Sequence, residues 1–376
     1  MAQLAPFSLP SRRRHCALVL MVFFVPVLAA CGGNAQAPLE GKREQVVAID
    51  VTFQPDPSLV DIDLTIPTPQ EQEDWQQANS NARNMMPHMA LPERVTEAWK
   101  KDVMGNISRH EAVVNPPVVA EGRLFVITPE SRVLAFDAWN GDVLWQSDLR
   151  SEKDKRTGLD VAGGLGVAHG NVFVSTSGGQ VYALDAQTGD PLWRAEVGAS
   201  IRAAPTIVDE RVFVVSHDNR LHVLDSNSGQ LLWNHSGIEE ALAMISSAAP
   251  AAALGRVAVP YSSGEIYVLK ASDGRYFWHD VLALTSGLDP LVNINDIVGA
   301  PVIADNTLYV ANNGGQMAAL NLENGQEIWR RDYSATGTPV VAGNAVYVLT
   351  ATNQMLGLDR DSGKVKWVMN LGRSSL

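Results

Sequence analysis

From about residue 117 onward the chain is written in short runs in which apolar and polar positions alternate, and each run is broken by glycine, asparagine, aspartate or serine. Alternation with a period of two predicts half-buried β-strands, and the punctuation predicts tight turns. The runs come in sets. "GRLFVIT", "GNVFVST", "ERVFVVS", "GRVAVPY", "NTLYVAN" and "NAVYVLT" are each preceded by a short strand rich in small residues or proline, as in "AAPTIV" and "GTPVVA". Each is followed by a second alternating run and then by a strand that ends near tryptophan. Every unit therefore predicts four strands with no helix between units.

Six segments carry the pattern most clearly: "VLAFDAWNGDVLW", "VYALDAQTGDPLW", "LHVLDSNSGQLLW", "IYVLKASDGRYFW", "MAALNLENGQEIW" and "MLGLDRDSGKVKW". They end at Trp145, Trp193, Trp233, Trp278, Trp329 and Trp367, at spacings of 48, 40, 45, 51 and 38 residues. Glycine stands four positions before each tryptophan, at Gly141, Gly189, Gly229, Gly274, Gly325 and Gly363. Four further back come Asp137, Asp185, Asp225, Lys270, Asn321 and Asp359. A carboxylate or amide can accept the backbone N–H groups of a turn, and glycine supplies the positive φ that the turn needs. A four-stranded unit of 40 to 50 residues, repeated without helices, predicts an all-β fold, a β-propeller of four-stranded blades. The tryptophan has a physical task in such a ring: one face of the indole covers the neighbouring blade while its N–H finds a backbone carbonyl.

Two stretches depart from the repeat. "RVTEAW", ending at Trp99, reads as an orphan outer strand, because residues 69–92 before it supply no inner strands. "GGLG", at Gly163–Gly166, lacks a following helix and reads as the inner strand of its blade, where glycine permits crowding near the axis.

The N-terminus changes the picture. Arg12, Arg13 and Arg14 precede the apolar run "CALVLMVFFVPVL", which is shorter than the roughly 20 residues of a membrane span and reads as an export signal. "LAAC" resembles the bacterial lipobox, which makes Cys31 the lipidated residue after removal of residues 1–30. Residues 31–68 are then a polar tether with a short extended segment, and 69–376 the propeller. Of the two cysteines, Cys16 leaves with the leader, so no disulfide is expected. The formal charge of −12 becomes −15 once the three leader arginines are gone, which argues against a nucleic-acid partner.

The tryptophan repeat resembles that of quinoprotein-like propellers. With the lipobox and the size, residues 69–371 resemble the BamB family, lipoproteins of outer-membrane β-barrel assembly. The resemblance implies an eight-bladed ring. Six complete units plus an orphan strand then imply either a C-terminus shortened relative to the family or a ring that closes in a variant way; the first is favoured because an open ring exposes strand edges. It further implies a non-catalytic scaffold on the periplasmic face of the outer membrane, binding the POTRA domains of BamA, other assembly components and nascent barrel proteins. Gly32 after the cysteine, in place of aspartate, favours the outer membrane. The partner contacts are expected on two long connectors. In "HSGIEEALAMISSAAP", Leu242 and Met244 match the family's apolar pair, with Ile245 where arginine would stand. In "HDVLALTSGLDPLVNINDIVGAP", Asp296 matches the first of two acids, with Val298 where the second would be.

Two other functions compete. A quinone-dependent dehydrogenase would carry calcium ligands, a catalytic aspartate and often a vicinal cysteine pair. The repeat aspartates sit one per blade, no cysteine pair exists, and the histidines have no metal-ligand spacing. No catalytic, metal or cofactor-binding residue is therefore expected. A ligand- or polymer-binding propeller would need a funnel lined by exposed aromatics.

Overall fold

The computed structural model describes residues 53–103, 116–150, 162–238, 248–282 and 295–372. The leader, the lipobox and Cys31 lie outside the described residues. Among those described, six antiparallel four-stranded sheets account for all regular structure apart from a single 3-10 turn at Pro57–Leu59, and none of the helices is long and apolar enough to cross a membrane. The sheets span residues 118–148, 162–196, 206–236, 251–281, 302–331 and 340–370, and are numbered I to VI. In each, chain order is spatial order, so every connection within a sheet is a hairpin. The inner strands are Val118–Ala120, Ala162–Ala168, Thr206–Val208, Ala251–Ala253, Val302–Ala304 and Val340–Ala342, and each contacts the next in sequence. This is the predicted propeller.

The core lies between sheets. Buried residues of sheets I and II, such as Phe125, Trp145, Leu165 and Leu184, form one cluster; Ile266, Trp278, Ile303 and Leu320 join sheets IV and V, and Trp329, Val346 and Leu358 join V and VI. Alternating side chains of the middle strands point into both interfaces, which is why "VFVVS" and "VYALD" are almost wholly buried.

The turn before each tryptophan is built as expected, with a further reason for its glycine. In sheet II the Asp185 Oδ1 accepts the backbone N–H groups of Gln187 and Thr188, both at 2.8 Å, and Asp225 does the same in sheet III for Asn227 and Ser228. In sheet IV, where Lys270 replaces the acid, Lys270 Nζ instead pairs with Asp273 at 2.7 Å. The six glycines have φ between +67° and +76°. Each also lies under the indole of the preceding unit: Gly189 under Trp145, Gly229 under Trp193, Gly274 under Trp233, Gly325 under Trp278 and Gly363 under Trp329. A Cβ on any of these would stand 2.5 to 2.7 Å from the ring. The indole N–H then donates to a carbonyl of the same turn, Trp145 to Ala186 at 3.1 Å, Trp193 to Ser226 at 2.9 Å, Trp278 to Leu322 at 3.0 Å and Trp329 to Arg360 at 2.8 Å. Trp233 docks without that bond. Trp367 lies over Gly357 of its own sheet and against Tyr347, because among the described residues no sheet follows VI.

A bulge at the same place in all six sheets aims the tryptophan. Register shifts between Ala135 and Phe136, Ala183 and Leu184, Val223 and Leu224, and the equivalent pairs in sheets IV to VI. The extra residue is the one before tryptophan, and in sheets I, II, III and V it is an exposed Leu144, Leu192, Leu232 or Ile328.

The N-terminal part corrects one expectation and fills a gap. Residues 94–99 form no strand, so there is no orphan outer strand. Trp99 nevertheless docks on sheet I as the repeat demands, over Gly141 and with its N–H on Ala138 O at 3.0 Å. The local sequence supplied the docking residue and no partner strand to pair with. Residues 69–92, which carry no strand pattern, run along the axial edges of the inner strands in the order of the sheets. Trp75 exchanges backbone bonds with Val119 of sheet I, and Gln76 O accepts from Val167 of sheet II. The Gln77 side chain bonds both N–H and C=O of Ile207 in sheet III, Ala82 O accepts from Ala252 in sheet IV, and Arg83 O accepts from Ile303 in sheet V. The loop is closed at its neck where Gln70 bridges Met89. "GGLG" is the inner strand expected: a Cβ on Gly166 would meet Ile207 at 2.4 Å, and one on Gly164 would meet Ala204 at 2.7 Å. Residues 53–66 lie against sheet VI, with Asp56 N–H on Val365 O at 2.7 Å and Asn344 bonded to Thr65.

Candidate functional site

Within each sheet, the turns carrying the repeat aspartates lie at one end and the connectors to the next sheet leave from the other. The repeat aspartates of sheets I, II, III and VI therefore stand apart in separate turns, occupied by their own backbone N–H groups. Those bonds, first from Thr188 N–H at Asp185 and from the Ser228 hydroxyl at Asp225, hold both carboxyls below the usual carboxylate range. They are fixed structural groups. Among the described residues no three histidine, cysteine, aspartate or glutamate side chains converge on a point where a metal ion could sit.

The connector end is built differently. Leu242 and Met244 lie outside the described residues, but both roots of their connector are placed. The chain leaves sheet III at Ile238, whose N–H donates to Glu265 Oε2 at 2.9 Å and whose carbonyl accepts from Asn219 Nδ2. Glu265 is 3% exposed and accepts two further bonds, from Ser263 Oγ at 2.7 Å and Tyr267 OH at 3.0 Å. A buried carboxylate with three donors is satisfied rather than costly. Burial, and then Glu265 itself, push the Tyr267 hydroxyl above its ordinary range, so the phenol stays a donor. Beside it His235 Nδ1 meets the OH of the fully buried Tyr261 at 2.9 Å. Burial pushes the Tyr261 hydroxyl up and the His235 imidazole down, leaving both neutral. The connector returns at Ala248, and Pro250 O is held by Thr206 Oγ1 at 2.7 Å and by Asn84 of the axial loop.

The second connector leaves sheet IV at Leu282, whose N–H donates to Gly264 O at 2.9 Å and whose carbonyl accepts from Asn312. It returns at Asn295. Asp296, expected at the contact surface, is 1% exposed, and its carbonyl accepts from Asn313 N–H at 3.0 Å. Burial places Asp296 in the root of the connector and off the surface. The two roots share one cavity: Ala248 from the first and Ile297 from the second line a space of about 40 Å³ together with residues of sheets III and IV. The buried glutamate and asparagine that hold the roots, Glu265 and Asn219, carry no local motif. Their one sequence signal is polar residues in hairpins otherwise filled by the repeat, Glu265 standing where the other units have arginine or glutamine.

The comparisons with known proteins bear on this geometry. The model of the family described as outer membrane protein assembly factor BamB matches residues 155–369, more than half of the chain. The chain belongs to the BamB family. The family's proteins from Vibrio cholerae and Alteromonas naphthalenivorans are 34% and 31% identical to it over 237 and 249 residues, and each alignment covers 63% of this chain. The chain covers about 60% of the length of these relatives, at 60% and 59%. The crystal structure of BamB from Moraxella catarrhalis superposes with a TM-score of 0.61 over 68% of this chain and 75% of that one, at 22% identity, a likeness of fold. A second family model, the β-propeller domain of glucose, ethanol and alcohol dehydrogenases, matches residues 93–194. The quinohemoprotein alcohol dehydrogenase of Comamonas testosteroni shares the fold at a TM-score of 0.52 and 14% identity, over 79% of this chain and 73% of that one. The BamB propeller and the dehydrogenase propeller are thus built on one repeat, and the site decides between them.

Proposed function

We propose that this member of the BamB family is a non-catalytic scaffold of outer-membrane protein assembly, anchored by lipid on Cys31 to the periplasmic face of the outer membrane. It docks through its connector end onto the POTRA domains of BamA. The observation that carries the reading is that the roots of the two long connectors lie at one end of the sheets and border one cavity, clamped by Glu265, Asn219 and Asn312. Leu242 and Met244 belong to the connector whose roots are so held, and apolar anchors at the centre of a contact supply most of its affinity.

The dehydrogenase reading meets a poor fit. A quinone and its metal ion need a cavity where several blades converge, and the axial edges of the inner strands are taken by residues 75–83, with Gln77 and Asn84 spent on backbone groups of sheets III to V. No cofactor step is assigned to the chain.

A second binding mode has its own support. Among the described residues the outer strands of sheets I, II, III and V pair on one side alone, and the bulge puts an apolar side chain there, Leu192 being 52% exposed. An extended segment of a nascent barrel protein can add to such an edge through main-chain bonds. Affinity capture of the tagged full chain from detergent-solubilised envelope tests the main reading. Recovery of BamA is expected, and its absence from a capture that retains other envelope lipoproteins overturns it.

A further inference from the structure

The cavity between the connector roots has a chemistry of its own. Arg202 follows Ile201, which bridges Ser216 of sheet III, and lines this cavity together with His217. Among the described residues Arg202 makes no ion pair or hydrogen bond. Nearby acids are already engaged. Asp218 accepts from Ser216 and pairs with Arg220, and Glu265 has three donors. The other polar groups of the lining are spent as well: Asn219 receives Ser262 N–H and Oγ and donates to Ile238 O, and Tyr261 OH meets His235. The remaining polar members of the lining are the half-buried Arg202 and the exposed His217, beside the apolar Ala203, Ala248 and Ile297.

A chain with 41 acidic and 29 basic residues has ample carboxylate with which to pair an arginine. An arginine left unpaired in a cavity lining that water reaches keeps its planar five-donor fork free for an incoming acceptor. The volume of about 40 Å³ suits one small planar group and is far below the several hundred Å³ of a drug-sized site. We infer that this cavity is a carboxylate-binding site, with Arg202 as the bidentate donor, His217 as a second donor, and the apolar floor seating the carbon stem behind the carboxylate. The ligand is an acidic side chain or the C-terminal carboxylate of a peptide reaching the connector end. The site stands whichever protein brings it, so its test is separate from that of BamA docking.

The experiment follows the Arg202 Nε–Hε signal of the full-length chain, labelled with 15N-arginine, in detergent micelles. Four probes are added up to about 10 mM, the range in which a single charge-assisted contact binds. They are acetyl-Gly-Glu-Gly-amide, its glutamine counterpart, acetyl-Gly-Gly-Phe with a free C-terminus, and the same peptide amidated. A saturable shift with a carboxylate probe and none with its neutral counterpart is expected. The probe that acts names the source, side chain, terminus or both. Arg202→Lys should weaken binding severalfold. Arg202→Gln should abolish the carboxylate response read at the His217 ring, with the tryptophan indole signals unchanged as the check on folding. Equal shifts from charged and neutral probes, no shift at all, or an Arg202→Gln chain that responds as before overturns the assignment.

Discussion

Replacing Gly229 by alanine tests the clasp on which the ring depends. The substitution has two separable effects. Gly229 has φ +70°, and an L-residue there costs about 1 kcal/mol. Its Cβ would also lie 2.5 Å from Trp193 Cε3 and 2.7 Å from Cδ2, against an ordinary contact of about 3.5 Å or more. The indole must retreat by about 1 Å, which costs roughly 1–3 kcal/mol as overpacking and strains its 2.9 Å bond to Ser226 O. Gly170→Ala is the internal control: φ is +73°, but nothing lies within 4 Å of the added carbon, so it carries the backbone cost alone. Urea unfolding followed by tryptophan fluorescence should place Gly229→Ala about 2 kcal/mol below Gly170→Ala. At a slope of roughly 3 kcal/mol per molar that is a midpoint difference of about 0.7 M. Equal midpoints for the two variants would refute the indole-on-glycine account of how the sheets are joined.

The other expectations are smaller in scope. Trp193→Phe should cost about 1 kcal/mol more than Trp233→Phe in thermal melts, because Trp193 loses a bonded N–H whereas Trp233 has none to lose. Asn84→Ala removes the donor shared by the carbonyls of Ala249, Pro250 and Pro301 and should destabilise the fold by about 1–3 kcal/mol, with earlier protease cleavage in the axial loop. Burial holds the His222 imidazole below its ordinary 6.5, so the unfolded chain binds the proton more tightly. The resulting stability is present above 6.5 and is lost as pH falls through that value towards the folded one. His222→Gln should flatten the dependence of the urea midpoint between about pH 5 and 7.5.

Much of this fold is legible in the sequence because its information is local and repeated six times. Strand alternation, the acid-to-glycine turn and the tryptophan each recur with their spacing, and the structure uses all three. The bulge before tryptophan was not legible, since one extra residue in a strand leaves no mark when Leu192 or Leu232 continues the apolar run. Residues 69–92 were opaque for a different reason. Gln77, Ala82 and Asn84 bond the edges of strands that lie far along the chain, Ile207 by 130 positions and Pro301 by 217, and no local pattern encodes such pairings. Asp296 shows the converse: a short motif match pointed to the surface, whereas the residue is buried in the connector root beside the equally buried Ile297. The repeat aspartates are turn residues, as their place four positions before glycine predicts.

The central claim is that this end is the docking face. A photo-crosslinking amino acid placed at 244, and in separate chains at 262 and at the opposite-end position 139, reads it directly in living cells. The account predicts crosslinks to BamA from positions 244 and 262 and none from 139. BamA captured from 139 alone, or from no position while the protein is exported and folded, would contradict it.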